Sequence, residues 1–205
     1  IYEFNMDDWE TITLTDGDWK VAFVLDIHTL KSIPIGHGLY DTTYTELGEL
    51  INEIKYNQDK KNIELLVNKI FIWMEKNMVV TDYLEGIIPV PPSNNERNFQ
   101  PVFAIAEELS RKLKIPFYNE CLIKIKKTPL MKEIMDDDEK RKILRPALKL
   151  NNIESIKDKK ILLFDDIVGS GVTLKECAKI LAKEANAKIY ALAITRRRTK
   201  GSLKL

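Results

Sequence analysis

Cysteine is scarce in this chain: there are two, Cys121 and Cys177, far apart and without Cys-x-x-Cys spacing. That argues against a disulfide framework and a cysteine-built zinc site, and makes a reducing cytoplasm the expected setting. Cys177 falls on a helical stretch and reads as a small core residue. No apolar run approaches the ~20 residues that cross a bilayer, and the N-terminal stretch lacks a signal-peptide pattern, so no membrane partner is expected. Net charge is also nearly absent: 32 basic against 31 acidic residues leave +1, which gives no global electrostatic case for nucleic acid. Internal repeats and low-complexity linkers are missing. Histidine is confined to His28 and His37 around a Gly/Pro-containing turn. No partner ligands at metal spacing accompany them, so loop or packing roles are expected.

What remains is a soluble globular composition, 44% hydrophobic and 31% charged. At 205 residues the length suits one α/β domain with an elaborated N-terminal region, or one domain plus a small lobe. The sequence opens on Ile1 rather than methionine, consistent with residues upstream of it.

The most informative segment is Ile161-Leu162-Leu163-Phe164-Asp165-Asp166-Ile167-Val168-Gly169-Ser170-Gly171-Val172-Thr173. Four apolar residues predict a short buried strand that ends in two carboxylates. A loop of small residues follows, and Thr173 opens an amphipathic helix. Asp165 and Asp166 can accept hydrogen bonds from two neighbouring hydroxyls of a ribose. Gly169, Ser170 and Gly171 let successive N–H groups converge into an anion nest, with Val168 and Val172 bounding it. The helix adds its own unpaired N–H groups and positive dipole end. A diol clamp beside a phosphate cradle outlines a ribose-5-phosphate site.

Competing motifs fail on the same residues. A dinucleotide-binding fingerprint needs a glycine where Leu174 stands, and an acid after the next strand, where Thr195 and Arg196 lie. A Walker loop needs Gly-Lys-Ser/Thr, yet no lysine precedes Lys175. A receiver domain needs most of a domain after its aspartates, whereas this chain ends at Leu205. An ordinary strand-to-helix turn capped by acids would account for one aspartate. It does not account for two acids, a small-residue loop and a hydroxyl at the helix entry together.

Elsewhere, Thr11–Thr15 and Lys20–Leu25 flank Asp16-Gly17 as a predicted β-hairpin. Thr43-x-x-Glu46 reads as a capping box for a helix towards Tyr56, and Asn62–Lys76 has helical periodicity. From Tyr83 onward strands and helices alternate. Gly86–Val90, Leu122–Ile125, Ile161–Phe164 and Ile189–Ile194 are the expected strands, and Phe99–Leu113 and Thr173–Lys183 the expected helices. The fold class expected is α/β, a doubly wound, mainly parallel sheet with an N-terminal β-hairpin and helical elaboration. The expected division is 1–82 for that elaboration, a possible hood or acceptor region, and 83–205 for the core. Ligands should sit at the carboxyl ends of the strands.

The Ile161–Thr173 segment resembles the ribose-phosphate motif of type I phosphoribosyltransferases. Ile87-Ile88-Pro89-Val90-Pro91-Pro92-Ser93, followed by Arg97-Asn98-Phe99-Gln100, is similar to the ComF family of competence-associated phosphoribosyltransferase-like proteins. Thr45-Glu46-Leu47-Gly48, Lys126-Lys127-Thr128 and Glu139-Lys140-Arg141 also resemble that family. The chain departs from it in lacking a cysteine-rich segment, in Asn98 where glycine is usual, and in Leu130-Met131 where a glutamine is usual. The resemblance implies a magnesium-dependent pentosyltransferase of nucleotide metabolism. Its substrate would be 5-phosphoribosyl-1-pyrophosphate, its acceptor is unidentified, and the metal would be held mainly through the substrate. It also implies a pyrophosphate loop at Pro92, Ser93, Asn94 and Arg97, where hydroxyl, amide and guanidinium donors suit phosphate oxygens. A stiff exposed turn explains the same prolines and asparagines. One X-Pro bond there could be cis.

The long charged segment Lys126–Pro146 would be the flexible loop over the diphosphate, with Lys126, Lys127, Lys132 and Arg141 as contributors. Asp136-Asp137-Asp138-Glu139 opposes that reading, and a solvated helix-loop excursion explains it as well. Arg196-Arg197-Arg198 reads as a solvated basic tail or a contact for nucleic acid or a ligand phosphate. A homodimer is open, as is a non-catalytic sensor or partner role in DNA uptake or processing.

Overall fold

The computed structural model describes residues 9–92, 99–129 and 133–197. Four strands form the parallel centre of the sheet: β2 (Val21–Ile27), β5 (Gly86–Pro89), β8 (Lys160–Val168) and β9 (Lys188–Arg196). With β1 (Ile12–Thr13) they give the order β1-β2-β9-β8-β5. Within this sheet the β1–β2 pair is antiparallel and the other pairs are parallel. The fold is α/β with a mainly parallel sheet, as the alternation predicted.

Residue alternation along β8 shows how the sheet is buried on both faces. Leu162 and Phe164 point into one core, with Leu25, Ile87, Leu192 and Ile194. Ile161 and Leu163 point into the other, with Ala22, Val24, Ala191 and Ala193. The first core is closed by α1 (Glu46–Asn57), α2 (Lys60–Asn77) and α3 (Pro101–Leu113). The second is closed by α5 (Val172–Ala185) through Leu174, Cys177, Ala178 and Leu181. All four apolar residues of Ile161–Phe164 are fully buried, which contributes about 1.5–3 kcal/mol each.

Several expectations need correction. Leu122–Ile125 does not join the parallel sheet. Instead β6 (Leu122–Lys124) pairs antiparallel with β7 (Leu148–Leu150), on the α5 side of the molecule. The open edge of β5 is met instead by the Pro116–Tyr118 stretch just before β6, where the Ile87 N–H donates to the Pro116 carbonyl and the Ile87 carbonyl accepts from the Tyr118 N–H. The predicted N-terminal hairpin exists as β1–β2, but its loop is wider than Asp16-Gly17, because Ile12 pairs with Val24 and Thr13 with Phe23. Its second strand also pairs parallel with β9. β2 and the helices α1 (Glu46–Asn57) and α2 (Lys60–Asn77) thus share a sheet or a core with the later strands.

A second hairpin, β3 (Thr29–Gly36) and β4 (Leu39–Tyr44), follows His28 and turns at His37-Gly38. Thr43 falls inside β4, and the cap of α1 is Thr45, whose hydroxyl accepts from the Gly48 N–H at 3.1 Å. The same hydroxyl donates to the Ile27 carbonyl at 2.7 Å, tying the start of α1 to the end of β2. Among the described residues, no helix is long and apolar enough to cross a membrane.

Candidate active site

Parallel pairing puts the carboxyl ends of β2, β9, β8 and β5 on one edge of the sheet. β8 does not stop at Phe164 as expected. It continues through both aspartates to Val168, because β9 pairs with it as far as Arg196. Arg197 N–H then donates to the Val168 carbonyl at 2.9 Å.

Both carboxyls are partly reachable by solvent yet closely surrounded. Burial raises the pKa of Asp165 well above the usual carboxylate range, and the neighbouring Asp166 adds to the effect. Burial raises Asp166 as well, opposed by the Ile167 N–H that its carboxylate accepts at 2.8 Å. Asp165 in turn accepts from the Asp166 N–H at 2.9 Å. Like charges held this close favour keeping a proton in the pair. The nearby Arg197 pulls the other way on both.

The loop after β8 leads into a helix whose start lacks a side-chain cap. Gly171 is the N-cap of α5 at φ 85°, a left-handed conformation that glycine adopts without strain. It has no side chain to cap the first turn, and no acid stands there. By contrast Thr45, Asp59 and Asp136 cap α1, α2 and α4 (Asp137–Leu144) through their side chains. The α5 N–H groups thus face outward with a positive dipole end. Gly169 has no atom within 4 Å of the place where a Cβ would sit. Ser170 and Thr173 are half-buried, and Val168 and Val172 are buried supports beneath the loop.

The structure brings Asp165, Asp166 and the loop together and places the remaining expected residues around them. Pro92 follows the carboxyl end of β5, and no peptide bond among the described residues is cis. Ser93, Asn94, Arg97 and Lys132 lie outside the described residues, as does Arg198. Lys126 and Lys127 are exposed in the segment after β6. Arg141 is on α4, paired with Asp138 at 2.6 Å and partly exposed. The α4 residue that reaches the loop is Lys140, whose Nζ donates to Ser170 Oγ at 3.0 Å.

Of three further residues here, Lys124 was not singled out by the sequence, Cys177 was expected only as a core residue and His28 only in a loop or packing role. Lys124 on β6 has its pKa lowered by burial, with Cys177 and Asp165 acting against that. Cys177 is pushed up by burial and by Asp165, so it stays a thiol. His28 follows β2 and shares a 2.9 Å hydrogen bond with Thr195 Oγ1, which is 3.5 Å from the Asp166 carbonyl oxygen. Burial, Arg197 and Lys55 lower His28 to about 4, so the ring is neutral near pH 7. Nothing local signals these contacts, since β2, β6 and β8 are far apart in the chain. An open cleft of about 490 Å³ lies beside Trp9, Asp26, Leu30 and Thr45, away from the acid pair.

Solved structures similar to the chain include two adenine phosphoribosyltransferases. Adenine phosphoribosyltransferase from Saccharomyces cerevisiae is 12% identical, with 82% of this chain and 83% of that one covered and a TM-score of 0.49. Adenine phosphoribosyltransferase from Trypanosoma brucei is 10% identical, with 85% and 95% covered and a TM-score of 0.44. No curated protein matches the chain. The family model described as the phosphoribosyl transferase domain matches residues 103–204, a stretch that contains Asp165, Asp166 and the Gly169–Thr173 loop and leaves out β5 and the loop after it. The C-terminal half of the chain is therefore similar to that domain family.

Proposed function

We propose that the protein binds 5-phosphoribosyl-1-pyrophosphate in a magnesium-dependent manner and transfers its ribose 5-phosphate to an unidentified nucleophile. The observation that carries this reading is the half-buried Asp165-Asp166 pair one short loop before an uncapped helix N-terminus. The acid pair accepts hydrogen bonds from the ribose hydroxyls. The backbone N–H groups of Gly169–Thr173 hold the 5-phosphate. Pyrophosphate departs as positive charge develops on the anomeric carbon, and Asp165 or Asp166 stabilises that charge. Catalysis here is mostly positioning and electrostatics.

Among the described residues, no three His, Cys, Asp or Glu side chains gather into a metal cage. The two adjacent carboxylates fit magnesium only as partners to an ion carried largely by substrate oxygens and water. When bound, the ion supplies charge neutralisation at the diphosphate. The Pro92-Ser93-Asn94 and Arg97 run and the Lys126–Pro146 segment are the proposed diphosphate contacts. Residues 1–82 are the proposed acceptor region, since they place His28, Tyr44 and Lys55 near that sheet edge. The His28 and Tyr44 rings are edge-to-face at 5.4 Å.

A second reading, a non-catalytic phosphoribosyl sensor or partner in DNA uptake or processing, draws support from the ComF-like Pro89-Val90-Pro91-Pro92 run. One titration series separates the two. Calorimetry with 5-phosphoribosyl-1-pyrophosphate, with and without magnesium, should show metal-dependent binding that Asp165→Asn/Asp166→Asn abolishes. Acceptor-dependent pyrophosphate release then marks the enzyme, and each single variant should slow it by roughly 10²–10³-fold. Undiminished turnover in both single variants refutes the assignment. Tight binding without product under any acceptor selects the sensor.

A further inference from the structure

Lys140 is buried on α4 at 8% exposure, an unusual place for an ammonium unless it is paired. Its partners are Asp137 Oδ1 at 2.7 Å, one helical turn earlier, and Ser170 Oγ at 3.0 Å, in the middle of the anion-binding loop. Asp137 is 45% exposed, and both Lys140 and Ser170 hold its carboxylate below the usual range. An ammonium and a hydroxyl thus converge on a carboxylate beside the N-terminus of α5. A phosphate oxygen takes the same kind of donors.

We propose that Lys140 is a phosphate-binding residue of the Gly169–Thr173 loop, and that Asp137 is its resident counter-ion, displaced when a phosphate monoester enters. The inference rests on the reading of that loop as a phosphate cradle. It makes physical sense of a buried lysine, whose charge needs an anionic partner in both states. Asp137 supplies the partner in the free protein, and the phosphate supplies it in the complex. Because Asp137 is near the surface, its carboxylate can turn to water when released, so the exchange trades one anion for another carrying more charge. It also accounts for acids in a segment expected to favour a diphosphate: Asp136 caps α4, and Asp137 neutralises Lys140.

The test is titration of the full chain with inorganic phosphate, ribose 5-phosphate and ribose, at fixed ionic strength. Lys140→Met should weaken both phosphate ligands at least tenfold, and Lys140→Arg should restore most of the loss, since hydrogen bonds to charged groups are the strong ones. Asp137→Asn should tighten both severalfold by removing the competitor. Asp137→Asn/Lys140→Met removes both charges and serves as the folding control by circular dichroism. It too should bind phosphate weakly. Unchanged phosphate affinity in Lys140→Met, or weaker binding in Asp137→Asn, overturns the proposal. The proposal is also overturned if the native chain binds neither phosphate ligand. If Lys140→Met loses phosphate while Asp165→Asn/Asp166→Asn binds ribose 5-phosphate as native does, Lys140 stands and the diol clamp fails.

Discussion

Gly169 and Gly171 look alike in sequence but should respond differently to alanine, which separates what the backbone needs from what a ligand needs. Gly171 sits at φ 85°, so a Cβ there is strained and should destabilise the free protein by about 1–2 kcal/mol. Gly169 is not in the left-handed region and has nothing within 4 Å of an added Cβ. Gly169→Ala should leave the free protein as stable as native, or more stable by about 0.5 kcal/mol through a less flexible unfolded chain. The methyl would instead occupy the open space over the cradle. A methyl in a filled site costs about 1–3 kcal/mol, which is roughly 5- to 150-fold in affinity. Urea unfolding followed by circular dichroism reads the first quantity, and calorimetry with ribose 5-phosphate reads the second. Native affinity in a stable Gly169→Ala would refute the idea that a phosphate packs against this backbone. A stability loss above about 1 kcal/mol would refute the local geometry.

Three other outcomes follow from the same edge of the sheet. Gly48→Ala would place a Cβ 2.1 Å from the His28 carbonyl oxygen, so α1 must back away from β2. The loss should be about 2–4 kcal/mol from overpacking and the weakened Thr45 cap, read as a lower urea midpoint with unchanged slope. His28 has a folded pKa of about 4 against 6.5 unfolded, so the unfolded chain binds the proton first. Stability from this group is complete above pH 6.5 and falls towards pH 4, by no more than about 2 kcal/mol after allowing for its partial exposure. His28→Asn should remove that part of the pH dependence, and identical native and variant profiles would contradict it. For Asp165 and Asp166 the sign is reversed: burial raises both, so the pair destabilises the free fold as pH rises through its titration. Magnesium and ligand binding should release protons, seen as calorimetric heats that vary with buffer ionisation enthalpy; buffer-independent heats would count against the pair.

The parts legible in the sequence were those coded locally. Ile161–Phe164 is a continuous apolar run because both of its faces are covered, and such a run needs no knowledge of its neighbours to be read as a buried parallel strand. Gly171 and the turn into α5 carry their own conformational signal. The parts not legible depend on distant pairing. Lys20–Leu25 reads as a hairpin strand, yet the main partner of the strand it forms, β2, is β9, near the other end of the chain. With that pairing unseen, His28 looked like a loop residue, although the pairing is what carries it to Thr195. Lys140 was masked differently: its neighbours Asp137–Glu139 make the segment look solvated, and only the packing of α4 against the α5 loop turns that lysine inward.

The electrostatics of the edge argue for function more strongly than any single motif. A strand-to-helix turn kept only for stability would gain from apolar residues or a side-chain cap at these positions, since buried carboxyls with raised pKa values cost folding free energy. Here one short stretch holds two such carboxyls, a helix start without a cap, and a loop glycine whose Cβ space is empty. Lys140 and Asp137 satisfy each other beside it, and Arg197, just past the neighbouring strand β9, offsets the acid pair. Each local cost is one that a bound anion, diol and cation would relieve. The sequence rules are broken where a ligand would repair them, which is the pattern expected of a binding site rather than of a structural turn.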